Sequence, residues 1–175
     1  MIHLLDKKPS LGRGTVKIYK RDKYIGTYHN QITNEVAEFF TGWLSGNTDY
    51  QFTHIYGQWG TAINYPESGG PYITPDRADV VTDLTTATIF TTNAEVPIVQ
   101  RSRVTEPDQS EFTNNIISCV GIFSNNDTQV YVGAGLVCKL PSGKKLLLAH
   151  VPFNGILKQS SYDIVVVWDW LFTNN

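Results

Sequence analysis

Four histidines, His3, His29, His54 and His150, are the first residues to weigh for metal binding, and their spacing argues against it, so each reads as a satisfied or exposed side chain. None stands in an H-E-x-x-H or C-x-x-C frame, and none has a second ligand at metal spacing. Asp76, Asp79 and Asp83 could offer hard oxygen ligands to calcium, but they do not match the spacing of an EF-hand loop. Glu106, Asp108 and Glu111 are close enough to suggest paired carboxylates. A polar stretch before a strand accounts for them more simply, because glycoside cleavage depends on separation across a bound sugar. Neither G-x-S-x-G nor a phosphate-binding loop occurs, and Gly12/Gly14 and Gly133/Gly135 read as points of flexibility and close approach. Cys119 and Cys138 lie in apolar strand-like runs, where a lone thiol behaves as a small buried hydrophobe. No metal, cofactor or catalytic residue is therefore expected.

What remains is a set of aromatic rings. Between His54 and Asp76 the chain reads HIYGQWGTAINYPESGGPYITPD, with Tyr56, Trp59, Tyr65 and Tyr72 among glycines and prolines. Such rings can stack on a sugar or anchor a partner, since each supplies large area at low rotamer cost. A long loop must also be held to its own domain, and its aromatics can do that. Tyr56 and Trp59 flank a strand end, which suits self-packing, with ligand contact as the alternative. Tyr65 and Tyr72 sit among turn formers, which suits partner contact.

The elements that must position these rings are mostly strands. GTVKIYKR and KYIGTYHN form a hairpin about Arg21-Asp22. One helix follows, near residues 33–45: Thr33 or Asn34 can cap it, Glu35 puts negative charge in its first turn, and Gly46 offers a left-handed stop. Val36, Phe39, Phe40, Trp43 and Leu44 recur at helical steps, and their full burial would contribute on the order of 10 kcal/mol of gross transfer energy. QFTHIYGQW, TTATIFTTN, VPIVQRSRV, FTNNIISCVGIF, TQVYVGAGLVCKL and KKLLLAHVPF supply further strands, with Pro97 marking an edge or a strand start. In YDIVVVWDWLF both faces carry apolar residues, so that strand is expected to be central and covered on both sides. The fold class expected is mainly β: an antiparallel β-sandwich of about eight strands in one domain, residues 14–175, with one inserted helix. Residues 1–13 read as an extended N-terminal arm.

Composition narrows the partners. With 14 basic and 16 acidic side chains in 175 residues, no net field draws the chain to nucleic acid. No apolar run approaches the length of about 20 residues needed to span a bilayer, so a soluble chain made in the cytoplasm, without membrane contact, is expected.

The order of segments carries more information than any single motif. NQITNEVAEFFTGWLSG, FTHIYGQWGT, RSRV, IISCVGIFSN, GAGLVCKL and ILKQSSYDIVVVWDWLF together resemble a loosely defined group of tailed-bacteriophage virion proteins. Asn30, Ile32, Thr33, Gly57, Gly60, Thr61, Gly121, Phe123, Lys158 and Trp168 occupy the places that carry the resemblance, while Cys119 and Val120 stand where that group has a glutamate. The resemblance implies a non-enzymatic structural role in the virion: capsid decoration, or else a head-fibre, tail or baseplate component. In the decoration reading the arm binds the major capsid protein, with Ile2, Leu4 and Leu5 as anchors and Lys7, Lys8 and Arg13 facing acidic lattice surface. A homo-oligomer, such as a trimer sharing the helix face and residues 81–92, fits the same reading. The competing class is a glycan- or receptor-binding module built on the aromatics of residues 54–76.

Overall fold

Val16 and Ile18 alternate with Lys17 and Tyr19, and Ile164, Val166, Trp168 and Trp170 alternate with Val165, Val167 and Asp169. Period-two patterns of this kind place one face of each strand on a core. In a computed structural model that describes residues 10–33, 35–60, 94–107, 113–124 and 128–173, they do so within one sheet. Its strands are β1 (Ser10–Lys20), β2 (Lys23–His29), β3 (Gln31–Ile32), β4 (His54–Gly60), β5 (Ala94–Pro107), β6 (Thr113–Phe123), β7 (Gln129–Lys139), β8 (Lys145–Lys158) and β9 (Ile164–Thr173), with helix α1 (Val36–Leu44) between β3 and β4. The strand order is β2-β1-β9-β6-β5-β4-β7-β8-β3, and every pairing is antiparallel. The expected fold class, mainly β and antiparallel with one short helix, is the one observed.

The sheet curls into a half-barrel, and β5 makes the corner by pairing with its two neighbours along successive segments. Ala94–Pro97 pairs with β4, and from Ile98 the strand pairs with β6, with a bulge between Ile98 and Gln100. Pro97, which has no N–H to give a ladder, closes the β4 pairing, and Ile98 N–H then donates to Thr53 O at 2.9 Å. Pro97 therefore marks a corner rather than the edge or strand start expected for it. The curl brings Trp168 and Trp170 of β9 and Cys119 of β6 against Ile55 of β4, Leu136 of β7 and Leu148 of β8, all fully buried.

Several expectations change. β1 begins at Ser10, so Ser10–Arg13, read as the end of the arm, pair with β9 through Ser10↔Thr173 and Arg13↔Leu171. Residues 1–9 and TTATIFTTN lie outside the described residues. β9 is central, between β1 and β6, but only one of its faces is buried; Val165, Val167 and Asp169 are half-buried, and Lys17 pairs with Asp169 at 2.9 Å. At β9 the curl covers the face of Ile164, Val166, Trp168 and Trp170 and leaves the other partly open. The strand buried continuously is β7, from Val130 to Cys138.

The helix is capped differently as well. Thr33 is buried; its hydroxyl donates to Leu147 O, its N–H donates to Leu148 O at 3.1 Å, and the Glu35 carboxylate accepts from Leu147 N–H. These groups continue the short β3 ladder along the edge of β8, where Leu147 is fully buried and its peptide must be satisfied. At the other end Gly46 adopts φ 84°, its N–H donates to Trp43 O at 3.0 Å, and Asn47 N–H donates to Gly42 O at 3.1 Å, a Schellman stop as expected. The predicted apolar stripe is only partly buried: Phe39 and Phe40 reach the core, while Trp43 is 49% and Leu44 78% exposed.

Two glycine-related predictions follow from this packing. At Gly57 a Cβ would stand 2.2 Å from Tyr131 Cε1 and 2.9 Å from Phe123 Cε1. Gly57→Ala is expected to destabilise the fold by about 1–3 kcal/mol through overpacking. At the β1–β2 turn Arg21 and Asp22 hold φ of 50° and 60°, the left-handed region. Asp22→Gly is expected to raise stability by about 1 kcal/mol, because glycine relieves that turn without disturbing a core contact. Urea denaturation of each variant reads both effects, and a neutral Gly57→Ala or a destabilised Asp22→Gly would contradict them.

Candidate functional site

The aromatic density of the chain gathers at the C-terminal end of α1. Phe39 stacks on Phe52 with centroids 5.0 Å apart and planes at 22°, and Phe52 meets Trp170 at 5.4 Å. Phe40 contacts Trp43 at 6.1 Å and Trp170 at 6.3 Å, each edge to face. Gly42 permits the approach of Tyr50, whose ring would come within 2.4 Å of a Cβ there. Five of these rings, Phe39, Phe40, Trp43, Tyr50 and Phe52, line an open recess of about 350 Å³. Buried Phe39, Phe40 and Phe52 form its base, exposed Trp43 and half-buried Tyr50 its walls, and Asn47, Thr48, Gln51 and Arg101 its exposed rim.

The rim is ordered by hydrogen bonds. Arg101 Nη1 donates to Gln51 Oε1 at 2.8 Å, and Gln51 Nε2 donates to Thr48 O at 2.6 Å. That chain fixes which way the Gln51 amide points and aims the guanidinium beside the aromatic walls. Asn47 Oδ1 accepts from Asp49 N–H at 3.0 Å, which braces the turn after the helix. Among the described residues no carboxylate lines the recess, and Arg101 is the one charged residue that does.

A second constellation joins β4, β5, β7 and β8. Alternation puts His54 and Tyr56 on the face opposite Ile55, and the register sets Tyr56 beside Glu95 of β5. Tyr56 Oη donates to Glu95 Oε2 at 2.6 Å, and Lys145 Nζ donates to the same oxygen at 2.8 Å and to Tyr56 Oη. Lys139 Nζ and His54 Nε2 each lie 3.5 Å from Glu95 Oε1. Burial alone would raise the Glu95 carboxyl, but the hydrogen bonds from Lys145 and Tyr56 and the nearby charges of Lys145 and His54 outweigh it and hold the group at about 2. The hydrogen bonds to Glu95 and Tyr56 push Lys145 up, and burial followed by the bond to Glu95 pushes Tyr56 up. Near neutral pH the trio is therefore anion, cation and neutral phenol, a clamp across four strands.

On the same face His150 of β8 and Gln58 of β4 meet across β7, with Nε2 and Oε1 3.1 Å apart and both residues buried. The register sets Gly133 opposite Gln58, and a Cβ on Gly133 would stand 2.7 Å from Gln58 Oε1 and 3.1 Å from His150 Nε2. Gly133 thus makes room for a polar bridge over the strand, which is the close approach that the glycine pair suggested. Burial lowers His150 to about 4. Cys119 and Cys138 are free and buried; burial pushes the Cys119 thiol up to about 12 and raises that of Cys138.

Of the residues singled out in the sequence, Tyr56 is buried in the clamp rather than held open for a ligand, because Glu95 and Lys145 take up its hydroxyl. Trp59 lies in β4 opposite Tyr131, at a register shift. Arg13 lies in β1. Ile2, Leu4, Leu5, Lys7, Lys8, Tyr65 and Tyr72, together with Asp76, Asp79 and Asp83, lie outside the described residues. Among the described residues no three His, Cys, Asp or Glu side chains stand together where they could hold a metal ion, and no helix is long and apolar enough to cross a membrane. The recess escaped sequence reading because Arg101 and Ile117 reach it from β5 and β6; the one local signal is five aromatics between Phe39 and Phe52. The chain matches no protein-family model, no curated protein and no solved structure.

The two constellations predict an acid limb of stability in two steps. His150 sits below its ordinary 6.5, so its contribution is complete above about 6.5 and is lost as the pH falls to about 4. Glu95 sits below its ordinary 4.5, so its contribution is complete above 4.5 and is lost as the pH falls through about 2. His150→Gln is expected to remove most of the upper step, at most about 3 kcal/mol, and Glu95→Gln the lower one; the remainder of the upper step belongs to His54, which burial also lowers. Denaturant unfolding at a series of pH values separates them; a wild-type stability that is flat between pH 6.5 and 4 would contradict the first assignment.

Proposed function

We propose that the chain is a non-enzymatic structural protein of a tailed-phage particle, acting as a decoration protein on the capsid lattice. The observation that carries this reading is where the residues of the resemblance lie. Thr33, Phe123, Lys158 and Trp168 are buried, Gly57 admits Tyr131 and Phe123, and Gly121 packs on Ile55 and Val96. Those residues build the frame, so the resemblance is one of scaffold, as suits a protein whose work is to hold a shape against a lattice. Binding to an assembled lattice then stabilises it by mass action. The N-terminal segment is the proposed lattice anchor, through Ile2, Leu4, Leu5, Lys7 and Lys8, with the major capsid protein as partner and a homo-oligomer as the bound form.

The aromatic recess favours a second reading, a ligand- or receptor-binding module carried on the same frame, with the site at Phe39–Phe52 instead of residues 54–76.

Cryo-electron microscopy of the particle that carries the chain tests the first reading. Density over the capsid lattice is expected; density confined to a tail tip or fibre would overturn the decoration role. Removing residues 1–9, which leaves β1 intact from Ser10, is expected to lower capsid affinity by about tenfold or more with an unchanged melting midpoint. Unchanged capsid affinity would overturn the anchor.

A further inference from the structure

We propose that the recess at the end of α1 binds a sugar ring bearing a carboxylate, the terminal residue of an acidic saccharide. The inference rests on the second reading above and names the ligand class. Four observations carry it. The recess holds about 350 Å³, near the low end of the range of about 300–1,000 Å³ for ligand pockets, which suits one or two rings. Its walls are Trp43, 49% exposed, and Tyr50; apolar ring faces of this kind accept the C–H face of a pyranose. Its rim supplies Asn47, Thr48 and Gln51, amide and hydroxyl groups able to meet sugar hydroxyls. Among the described residues its single charge is Arg101, with no lining carboxylate to neutralise it.

Arg101 decides the acid. One of its five N–H groups is used on Gln51 Oε1, and that bond holds the guanidinium at the rim. The planar fork left over matches a carboxylate in two parallel hydrogen bonds. A purely apolar occupant, such as a leucine side chain of a partner, would leave that rim unmatched. An aromatic carboxylate would use the walls and Arg101 but not Asn47 and Thr48.

Three probes separate these occupants on the full chain: a glucuronate-terminated disaccharide, its glucose-terminated counterpart, and benzoate. Binding is read from the Trp43 indole and Gln51 side-chain amide signals in nitrogen-15 correlation spectra. The acidic disaccharide is expected to give saturable shifts at both, with affinity about tenfold or more above that of the neutral one. Arg101→Ala is expected to bring the acidic disaccharide to the level of the neutral one, and Trp43→Ala to abolish both, each with unchanged far-ultraviolet circular dichroism. Equal affinity for the two disaccharides, or no effect of Arg101→Ala, overturns the carboxylate. Benzoate binding as tightly as the acidic disaccharide overturns the sugar while leaving the recess a ligand site. No saturable shift with any probe overturns both the inference and the reading beneath it.

Discussion

A buried strand edge has to be hydrogen-bonded, and the edge of β8 around Leu147 sets much of the structure's arrangement. Leu146–Leu148 are fully buried, so their peptide groups have no water to turn to. β3 is only two residues long and pairs just Gln31 and Ile32 with His150 and Ala149. Thr33 and Glu35 extend it with side chains, taking both the C=O and the N–H of Leu147. The start of α1 is thereby anchored, and with it the direction in which the helix leaves the sheet. Phe39 and Phe40 then reach Phe52 and Trp170, and Trp43 is left at the border of an open recess.

The core and the recess are continuous. Trp170 contacts both Phe40 and Phe52, which are at once the last layer of the core and the base of the recess. The base of the recess is therefore a face of the packed core, while its wall at Trp43 stands 49% exposed. The Tyr56–Glu95–Lys145 clamp works on the other side of Ile55. It ties the N-terminal half of β5 to β4 and β8, while the C-terminal half of the same strand delivers Arg101 to the recess. Glu95 and Arg101 lie on either side of the Pro97 corner, so the bend in β5 serves both the curl of the sheet and the placement of the rim charge.

Much of the fold was legible in local patterns. The alternation in Val16–Ile18 and Ile164–Trp170, the Arg21-Asp22 turn and the Gly46 stop each correspond to what is observed. Thr33 and Glu35 were misread because capping rules consider only the helix itself, whereas a neighbouring strand offered those side chains a buried peptide. The second face of β9 was misread because apolar valines do not reveal which way a sheet curls. Self-packing of Tyr56 is legible from its place at a strand end, but its partners Glu95 and Lys145, 39 and 89 residues away, are not.

The sequence alone determined most of the strands, the one helix and the mainly β, antiparallel architecture. Those follow from periodicity, turn chemistry and apolar content, which act between near neighbours. The tertiary structure decided the rest: the corner at Pro97, the bridge over Gly133, the clamp on Glu95, and an aromatic recess where an unbroken apolar helix face was expected. Each depends on register and curl, which are settled by contacts between strands far apart in the chain, and no local pattern encodes them.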